Sequence, residues 1–219
     1  MNNVVCISGY CPDLGKDHGT QIRKWFDEYF KKDYVVIGHV IDHHHKRTLM
    51  NTFPDAIVQI EENVPIKDYN IPNKGFITGV QRYLQQIHSY RKVNALRKTI
   101  LIPRDTDRVV RCRYDLRFYT DPSLAGIITN DEIGIPDFHH WGGYNDRMAI
   151  MGGNVADSYL NIISALLKNR KRCTHPERNL KMILDEEGVK TKMMNIKFNR
   201  VRNQDTELND CKINQAWIS

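Results

Sequence analysis

The chain has 219 residues, 41% of them hydrophobic, and a formal net charge of +6. That length suits one domain with a substantial core, so we expect a single α/β domain over residues 1–219, with residues 203–219 as an uncertain tail. No apolar run is long enough to cross a bilayer, and the N-terminus lacks a signal-peptide pattern, which favours a cytoplasmic protein. The five cysteines are scattered without a paired metal-ligand spacing and are expected to be reduced thiols.

The positive charge is spread along the chain, with only a mild concentration between Lys168 and Arg202. No nucleic-acid-binding motif accompanies it. A phosphorylated small molecule or a solvated basic surface explains such charge equally well. We therefore expect no nucleic-acid partner, although a non-catalytic phosphate- or RNA-binding module stays open as an alternative.

The first part of the chain predicts the beginning of a parallel α/β sheet. Buried strands are predicted at 4–9 and 34–41, with an amphipathic helix at 20–31 between them, and a short third strand is predicted at 56–60. Parallel sheets bind ligands at the carboxyl ends of their strands. We therefore expect Ser8, Gly9 and the Asp-His-His-His segment at 42–45 to lie near a site.

A charged segment at 109–119 follows a predicted long helix at 75–96 and an apolar run at 99–102. As one β-strand, it places apolar and charged side chains on opposite faces. Three guanidiniums around one carboxylate would line a cleft that holds an anion and a metal ion, because buried unpaired charges are costly. An exposed edge strand protected by its charges is the alternative. The charged face comprises Arg111, Arg113, Asp115 and Arg117, and the apolar face comprises Cys112, Tyr114, Leu116 and Phe118.

The second half of the chain contains the densest group of unusual residues, at 136–147. Paired glycines beside tryptophan, histidines, asparagine and aspartate favour a binding loop over a core segment. The regular elements predicted around it are a strand at 126–129, a helix capped by Asn154, a second helix opened by a capping box at 174–177 and stopped by Gly188, and a last strand at 190–201.

Several spaced motifs cover most of the chain. They are a strand ending in a Ser-Gly turn at 7–9, a strand at 34–42, Arg-x-Arg-x-Asp-Leu-x-Phe at 111–118, Asn-Asp-Arg-x-Ala at 145–149, and a His-Pro-Glu helix with a closing strand at 175–202. In this order and spacing, the sequence resembles small GT-A-like glycosyltransferases of bacterial polysaccharide gene sets and large DNA viruses. Related chains often carry arginine just after the Ser-Gly turn, where this chain has Tyr10-Cys11-Pro12.

The resemblance implies a GT-A-like (Rossmann-like) α/β fold with a central, mostly parallel sheet flanked by helices. It also implies transfer of a sugar from a nucleoside diphosphate donor of the UDP or GDP type to a glycan hydroxyl, with Mn²⁺ or Mg²⁺ as the cofactor. For a viral chain, the expected compartment is the host cytoplasm.

The same resemblance implies roles for individual residues. Asp115 takes the place of the metal-binding acidic motif, and an Asp-x-Asp at Asp105 and Asp107 is the alternative. Asp146 is expected to contact the acceptor hydroxyl and to act as general base if the enzyme inverts. The donor diphosphate is expected at Ser8, Gly9, Arg111, Arg113 and Arg117, and the sugar or acceptor at Trp141, Asn145 and Arg147. Anchoring of the loop in the core is the alternative role of Trp141.

Two other constellations suggest different chemistry. Asp42 and His43 mimic the Asp-His-His signature of manganese-dependent phosphoesterases, but the aspartate-rich turn which that family needs after its first strand is missing. A second set lacks the spacing of recognised zinc sites, and its histidines are more often ordinary hydrogen-bonding groups. Residues 175–177 are also typical of a helix start. The members of the second set are His139, His140, His175 and Cys173.

Overall fold

The structure is a computed structural model that describes residues 3–62, 77–100, 108–126, 128–169, 175–203 and 206–211. The strands in these residues are β1 (Val4–Gly9), β2 (Val35–Val40), β3 (Ile57–Ile60), β4 (Arg108–Cys112), β5 (Leu116–Phe118), β6 (Glu132–Pro136), β7 (Met148–Gly152), β8 (Lys190–Met194), β9 (Phe198–Asn203) and β10 (Thr206–Leu208). The helices are α1 (Gly15–Tyr29), α2 (His43–Thr52), α3 (Ile77–Ile100), α4 (Ala156–Leu160), α5 (Ile162–Asn169) and α6 (Pro176–Glu186), with a 3-10 turn at Pro122–Ala125.

A seven-stranded sheet forms the centre of the fold, in the order β3-β2-β1-β4-β7-β6-β8. The strands β3, β2, β1 and β4 run parallel, β7 is antiparallel to both of its neighbours, and β8 is parallel to β6. The expected α/β architecture with a central, mostly parallel sheet is therefore confirmed. The strands predicted at 4–9, 34–41 and 56–60 are confirmed as β1, β2 and β3.

The two faces of the sheet are buried in two apolar clusters. Val4 and Cys6 of β1 pack in one cluster with α3, α4, α5 and α6. Val5 and Ile7, the alternate residues of the same strand, pack in the other cluster with α1 and α2. A strand covered on both faces has no polar side, which explains the unbroken apolar run at the start of the sequence.

A second sheet, with the order β10-β9-β5, lies beside α1. Trp25 of α1 stacks on Phe118 of β5 with ring centroids 4.4 Å apart. Its indole Nε1 donates to the carbonyl of Thr120 over 2.9 Å, which satisfies the polar atom of a buried ring. This packing fixes where the chain runs after it leaves the central sheet.

The charged segment at 109–119 is not one strand, and the prediction that its charges share one face is wrong. β4 ends at Cys112, residues 113–115 turn, and β5 joins the second sheet. The turn forms because Arg113 N donates to the carbonyl of Arg147 over 3.2 Å, while the carbonyl of Asp115 accepts from Val201 N over 2.8 Å. The alternating pattern continues through the turn, so the sequence does not reveal the break.

Two other predicted strands also differ from the structure. The strand predicted at 126–129 is wrong in its described residues, because a 3-10 turn precedes Gly126 and the strand begins at Glu132. The last strand, predicted at 190–201, is two strands in different sheets. Ile196 N donates to the carbonyl of Met194 over 2.8 Å, which bends the chain between them.

The helix caps also differ in detail. Val155 rather than Asn154 is the N-cap of α4, and the Asn154 amide donates to Asp131 over 2.9 Å. His175 is the N-cap of α6, while the Thr174 of the predicted capping box lies outside the described residues. None of the helices in the described part of the chain combines the length and the apolar character that a membrane crossing requires.

We predict that Gly143→Ala lowers the free energy of unfolding by about 1–3 kcal/mol, because an added Cβ overpacks the loop before β7. That Cβ would stand 1.9 Å from the carbonyl oxygen of Glu177 in the first turn of α6. Urea denaturation measures the change. Ser164→Ala, an exposed position on α5, serves as the control and should stay within about 0.5 kcal/mol of wild type. A Gly143→Ala protein of unchanged stability would contradict the close approach of this loop to α6.

Candidate active site

A cavity of about 540 Å³ opens where β1, β2 and β4 end and α3 passes over the sheet. Ser8 and Gly9, at the end of β1, line this cavity. The sequence predicts that both residues lie near a site. Gly9 has φ +91°, a left-handed conformation that suits glycine. We call this cavity the arginine pocket, after Arg82, Arg111, Arg113 and Arg202, which line it.

The four arginines give the pocket a strongly positive lining, and no carboxylate is among its described lining residues. Arg111 is fully buried, the Arg113 side chain is 25% exposed, and Arg82 and Arg202 are exposed. Guanidinium groups bind carboxylate and phosphate oxygens through paired N–H donors. The pocket therefore suits an anion that carries several charged oxygens.

Arg111 occupies the end of β4, between β1 and β7. Its guanidinium carbon lies 4.1 Å from the centre of the Tyr90 ring, and its Nη1 donates to the carbonyl of Asp146. Its Nε is buried and has no hydrogen-bond partner in the described residues, and neither has the buried Oγ of Ser8. An unpaired buried donor costs about 1–3 kcal/mol. A bound anion would satisfy both groups.

Arg113 is held in the pocket wall by Asp115. Its Nε donates to Oδ1 over 2.7 Å and its Nη2 donates to Oδ2 over 2.6 Å. Burial raises the pKa of the Asp115 carboxyl, but Arg113, with further help from Arg202 and Arg200, outweighs burial and holds that pKa below its ordinary value. The carboxylate is therefore charged at neutral pH and orients a guanidinium toward the pocket.

The same geometry bears on the predicted metal at Asp115. Both of its oxygens accept from Arg113, and Arg200 and Arg202 are close enough to lower its pKa. A divalent cation at this carboxylate would have to displace Arg113 and would lie among positive groups, so the surroundings fit a cation poorly. Metal binding by Asp115 stays a prediction, and the alternative motif at 105–107 lies outside the described residues.

Arg117 lies away from the arginine pocket. It is in β5, where its Nη1 donates to Glu207 Oε2 over 2.8 Å. Tyr119 donates to the other oxygen of the same carboxylate. The structure therefore brings Arg111 and Arg113 together with Ser8 and leaves Arg117 in a separate ion pair.

Asp146 lies beside the pocket, in the segment before β7. Its Oδ2 accepts from Nε2 of Gln86, a pocket-lining residue of α3, over 2.9 Å. Its carbonyl accepts from Arg111, and also from the hydroxyl groups of Tyr90 and Tyr159, each over 3.3 Å. This dense set of contacts fixes the Asp146 backbone while its carboxylate is only half-buried.

The other predicted acceptor-side residues have different surroundings. Asn145 is fully buried, and its side chain donates to the carbonyl of Phe138 over 2.9 Å and accepts from Arg147 N over 3.0 Å, which holds the loop. Trp141 is 57% exposed, and its Nε1 donates to His139 Nδ1 over 2.6 Å. Asn145 thus has a structural role in this geometry, whereas the ring of Trp141 is free to contact a ligand.

A second group of buried charges lies behind Asp146. Arg147 is 7% exposed, and its Nη1 is buried without a hydrogen-bond partner in the described residues. Glu177 is 6% exposed, and burial followed by the nearby Asp146 carboxylate raises its pKa. The sequence marks Glu177 only as a helix-start residue, because a partner so distant in the chain leaves no local signal.

Two pocket arginines and a serine are absent from the expected site. Arg202 follows the last predicted strand, and only the fold brings it to the pocket. Arg82 and Ser89 could have been found, because polar residues recur on α3 at helical spacing along one face. That stripe consists of Arg82, Gln85, Gln86 and Ser89, and all four residues line the pocket.

Asp42, the residue on which the phosphoesterase alternative depends, has a structural role. Asp42 is the N-cap of α2, and its Oδ1 accepts from His45 N over 2.7 Å. His43 is exposed at the start of that helix. Within the described residues, the group of three side chains arranged to hold a metal ion is a different one, His39, Glu61 and His88.

The zinc alternative is also not assembled. His175 Nδ1 lies 2.9 Å from Glu177 Oε2, whereas His139 lies 3.5 Å from Asp210. Cys173 is outside the described residues. His139 and His175 therefore have separate carboxylate partners.

We predict that Asp115→Asn lowers the free energy of unfolding by about 2–3 kcal/mol at pH 7, because it leaves the Arg113 guanidinium without its counter-charge. The native pKa of Asp115 lies below its unfolded value, so the stability that it contributes is present above about pH 4 and is lost as the pH falls through the native pKa. The difference between the two proteins should shrink accordingly in acid.

Denaturation of both proteins at a series of pH values checks this expectation. Asp55→Asn, at an exposed position, is the control and should match wild type throughout. Equal stability of wild type and Asp115→Asn at pH 7 would contradict the importance of the Arg113 pair.

The sequence matches no protein-family model and no curated protein. Among solved structures, 4-diphosphocytidyl-2C-methyl-D-erythritol synthase is similar with a TM-score of 0.53 and 12% identity, over 99% of this chain and 95% of that one. Core-mannan synthase A from Aspergillus fumigatus, in an Mn/GDP form, has a TM-score of 0.49 and 10% identity, over 90% and 74%. The galactosyltransferase LgtC, in complex with donor and acceptor sugar analogs, has a TM-score of 0.45 and 10% identity, over 87% and 73%.

The TM-score of 0.53 shows that this chain and the synthase share a fold, and the identity of 12% leaves the reaction open. The similarity to the first of these structures covers nearly the whole of both chains. The chain has a GT-A-like (Rossmann-like) fold, with a central, mostly parallel sheet flanked by helices.

Proposed function

We propose that the protein is a glycosyltransferase that moves a sugar from a nucleoside diphosphate donor of the UDP or GDP type to a glycan hydroxyl. The observation that carries this proposal is the arginine pocket at the carboxyl ends of the parallel strands, with two buried donors, Arg111 Nε and Ser8 Oγ, that have no partner in the described residues. In open α/β sheets, ligands bind at this edge.

The arginines would act on the leaving group. When the bond between the sugar C1 and the diphosphate oxygen breaks, the oxygen keeps the electron pair and negative charge builds on the diphosphate. Arg111 and Arg113 are fixed before the reaction by Tyr90 and Asp115, so they stabilise that charge without reorganising. Arg82 and Arg202, at exposed positions, would attract the donor and close around its phosphates.

On the acceptor side, Asp146 would take the proton from the attacking hydroxyl as its oxygen forms the new bond to C1. Gln86 holds the Asp146 carboxylate next to the pocket. Trp141 would stack on a sugar ring of the acceptor, because its ring is exposed in the adjoining loop. Arg147 and Asn145 would support this side by positioning Asp146 between them.

Mn²⁺ or Mg²⁺ is the expected cofactor, but both oxygens of its predicted ligand, Asp115, accept from Arg113, so no step of the proposed reaction depends on an ion at this carboxylate. Such an ion would supply further neutralisation of the diphosphate. With Asp115 paired to Arg113, the pocket arginines would supply the positive charge that neutralises the diphosphate. If the metal does bind there, Asp115→Asn removes the metal-dependent part of any donor binding, and retention of that part would place the ion elsewhere.

Nucleotidyl transfer is the second candidate, because the pocket arginines suit a nucleoside triphosphate as well. It would release inorganic pyrophosphate, whereas glycosyl transfer releases a nucleoside diphosphate. The fold likeness to a synthase of a diphosphocytidyl compound, over 95% of that chain, favours testing it.

We predict that a UDP- or GDP-sugar raises the melting temperature and that Arg202→Gln weakens its affinity about 10-fold, because one charged phosphate contact contributes roughly 1.4 kcal/mol. Arg23→Gln is the matched control: it removes the same charge from α1, outside the arginine pocket, and should bind the donor as wild type does. Calorimetric titration with and without Mn²⁺ measures both affinities.

The products then separate the candidates. Release of UDP or GDP with a glycan acceptor supports glycosyl transfer, and release of pyrophosphate from a nucleoside triphosphate supports nucleotidyl transfer. Failure of every nucleotide and nucleotide sugar to bind, with or without Mn²⁺, would refute both. Salt-sensitive binding of RNA without any turnover would instead support the binding module.

We predict that Asp146→Asn lowers kcat about 10²- to 10⁴-fold while the Kd of the donor changes less than about 3-fold, because the carboxylate acts on the acceptor proton and not on the phosphates. Single-turnover kinetics and donor titration measure the two quantities. Asp137→Asn, in the exposed ion pair with Lys197, is the control. Unchanged turnover in Asp146→Asn would remove Asp146 from the chemistry.

A further inference from the structure

Three metal-ligating side chains converge beside the arginine pocket. His39 lies in β2, Glu61 directly follows β3, and His88 lies in α3. Each offers one ligand atom, and these atoms all lie within 4.8 Å of one another. The sequence shows no sign of this group, because the three residues come from three elements and match no ligand spacing.

Both imidazoles point their Nε2 atoms at the same oxygen of the carboxylate. His88 Nε2 lies 2.7 Å and His39 Nε2 lies 3.1 Å from Glu61 Oε2. The His39 side chain is fully buried, that of His88 is 1% exposed, and that of Glu61 is 22% exposed. The group is thus almost dry, with one side accessible to solvent through the carboxylate.

The surrounding groups hold these side chains in place. His39 Nδ1 lies 3.0 Å from Ser89 Oγ, and Lys92 Nζ lies 3.3 Å from Oε1, the other oxygen of Glu61. The backbone N–H of Glu61 donates to the carbonyl of Val40 over 3.0 Å. Polar partners on the far side of a ligating imidazole or carboxylate are typical of metal sites, where they orient the ligands.

We propose that His39, Glu61 and His88 bind Zn²⁺ and leave a fourth position for water. Two imidazoles with one carboxylate form a ligand set that zinc accepts, whereas Mg²⁺ and Ca²⁺ prefer oxygen ligands alone. Zn–N and Zn–O bonds of about 2.0–2.2 Å place the ligand atoms roughly 3.3 Å apart in a tetrahedron. The two imidazole-to-carboxylate distances need to lengthen only slightly to reach that separation.

This site goes beyond the proposed function and does not depend on it. It adjoins the arginine pocket through Ser89, which contacts His39 and also lines the pocket. Bound zinc would tie β2, the end of β3 and α3 together, since it takes a ligand from each. It binds the folded chain in preference to the unfolded one and therefore raises the melting temperature.

Titration of the full chain, stripped of metal with a chelator, tests the proposal. We predict that Zn²⁺ raises the melting temperature, that Mg²⁺ at the same concentration does not, and that Co²⁺ gives the intense visible absorption of a four-coordinate site. Glu61→Gln keeps an oxygen that accepts from both imidazoles but loses the charged ligand. It should melt like wild type without metal and bind zinc at least about 100-fold more weakly.

Two controls locate the metal. Lys92→Gln removes a positive charge next to Glu61 and should bind zinc at least as tightly as wild type. The double variant His43→Gln/His44→Gln removes the exposed imidazoles of α2 and should leave zinc affinity unchanged. Absence of the zinc shift and of the cobalt band in wild type would overturn the proposal, since hydrogen bonds alone would then hold the group. Wild-type zinc affinity in Glu61→Gln, or its loss in the double variant, would also overturn it.

Discussion

The burial of guanidinium groups at the end of β4 is the constraint on which the site depends. Arg111 is fully buried in the central sheet, and it is stabilised by the Tyr90 ring and by the carbonyl of Asp146. Arg113 is compensated by the buried carboxylate of Asp115, two residues later in the chain. Buried charges often stabilise a fold less than apolar residues of similar volume do. Their retention here therefore favours a role in binding. Together Arg111 and Arg113 line the cavity at the carboxyl ends of the parallel strands, where we propose that the donor diphosphate binds.

The sequence predicts the first three strands of the central sheet well and the charged segment badly. β1 and β2 are found because their apolar runs are buried on both faces, whereas the half-exposed strand β3 is found from its short β-branched run. The segment at 109–119 alternates apolar and charged residues across a turn as if it were one strand, so the departure of β5 into a second sheet leaves no trace in the pattern. Long-range contacts of Asp115 with β9 decide it.

The site shows the same division. Ser8 and Gly9 are predicted because they end a strand. Arg111 and Arg113 are predicted from the charged face of the segment at 109–119, and the structure places all four around one cavity. Arg117 is misplaced together with β5. The sequence does not predict the group of His39, Glu61 and His88, because these residues are far apart in the chain and only the fold brings them together. Asp115, the predicted metal ligand, lies among guanidinium groups. A charged sequence motif alone therefore does not show whether its carboxylate binds a metal ion or an arginine.

A crystal structure of the protein with UDP or GDP tests the central claim most directly. The account predicts diphosphate oxygens within hydrogen-bond distance of Arg111 Nε and Ser8 Oγ, the two buried donors without a partner in the described residues. A diphosphate bound instead in the larger cavity along α1, which Lys16 and Arg23 line, would contradict it.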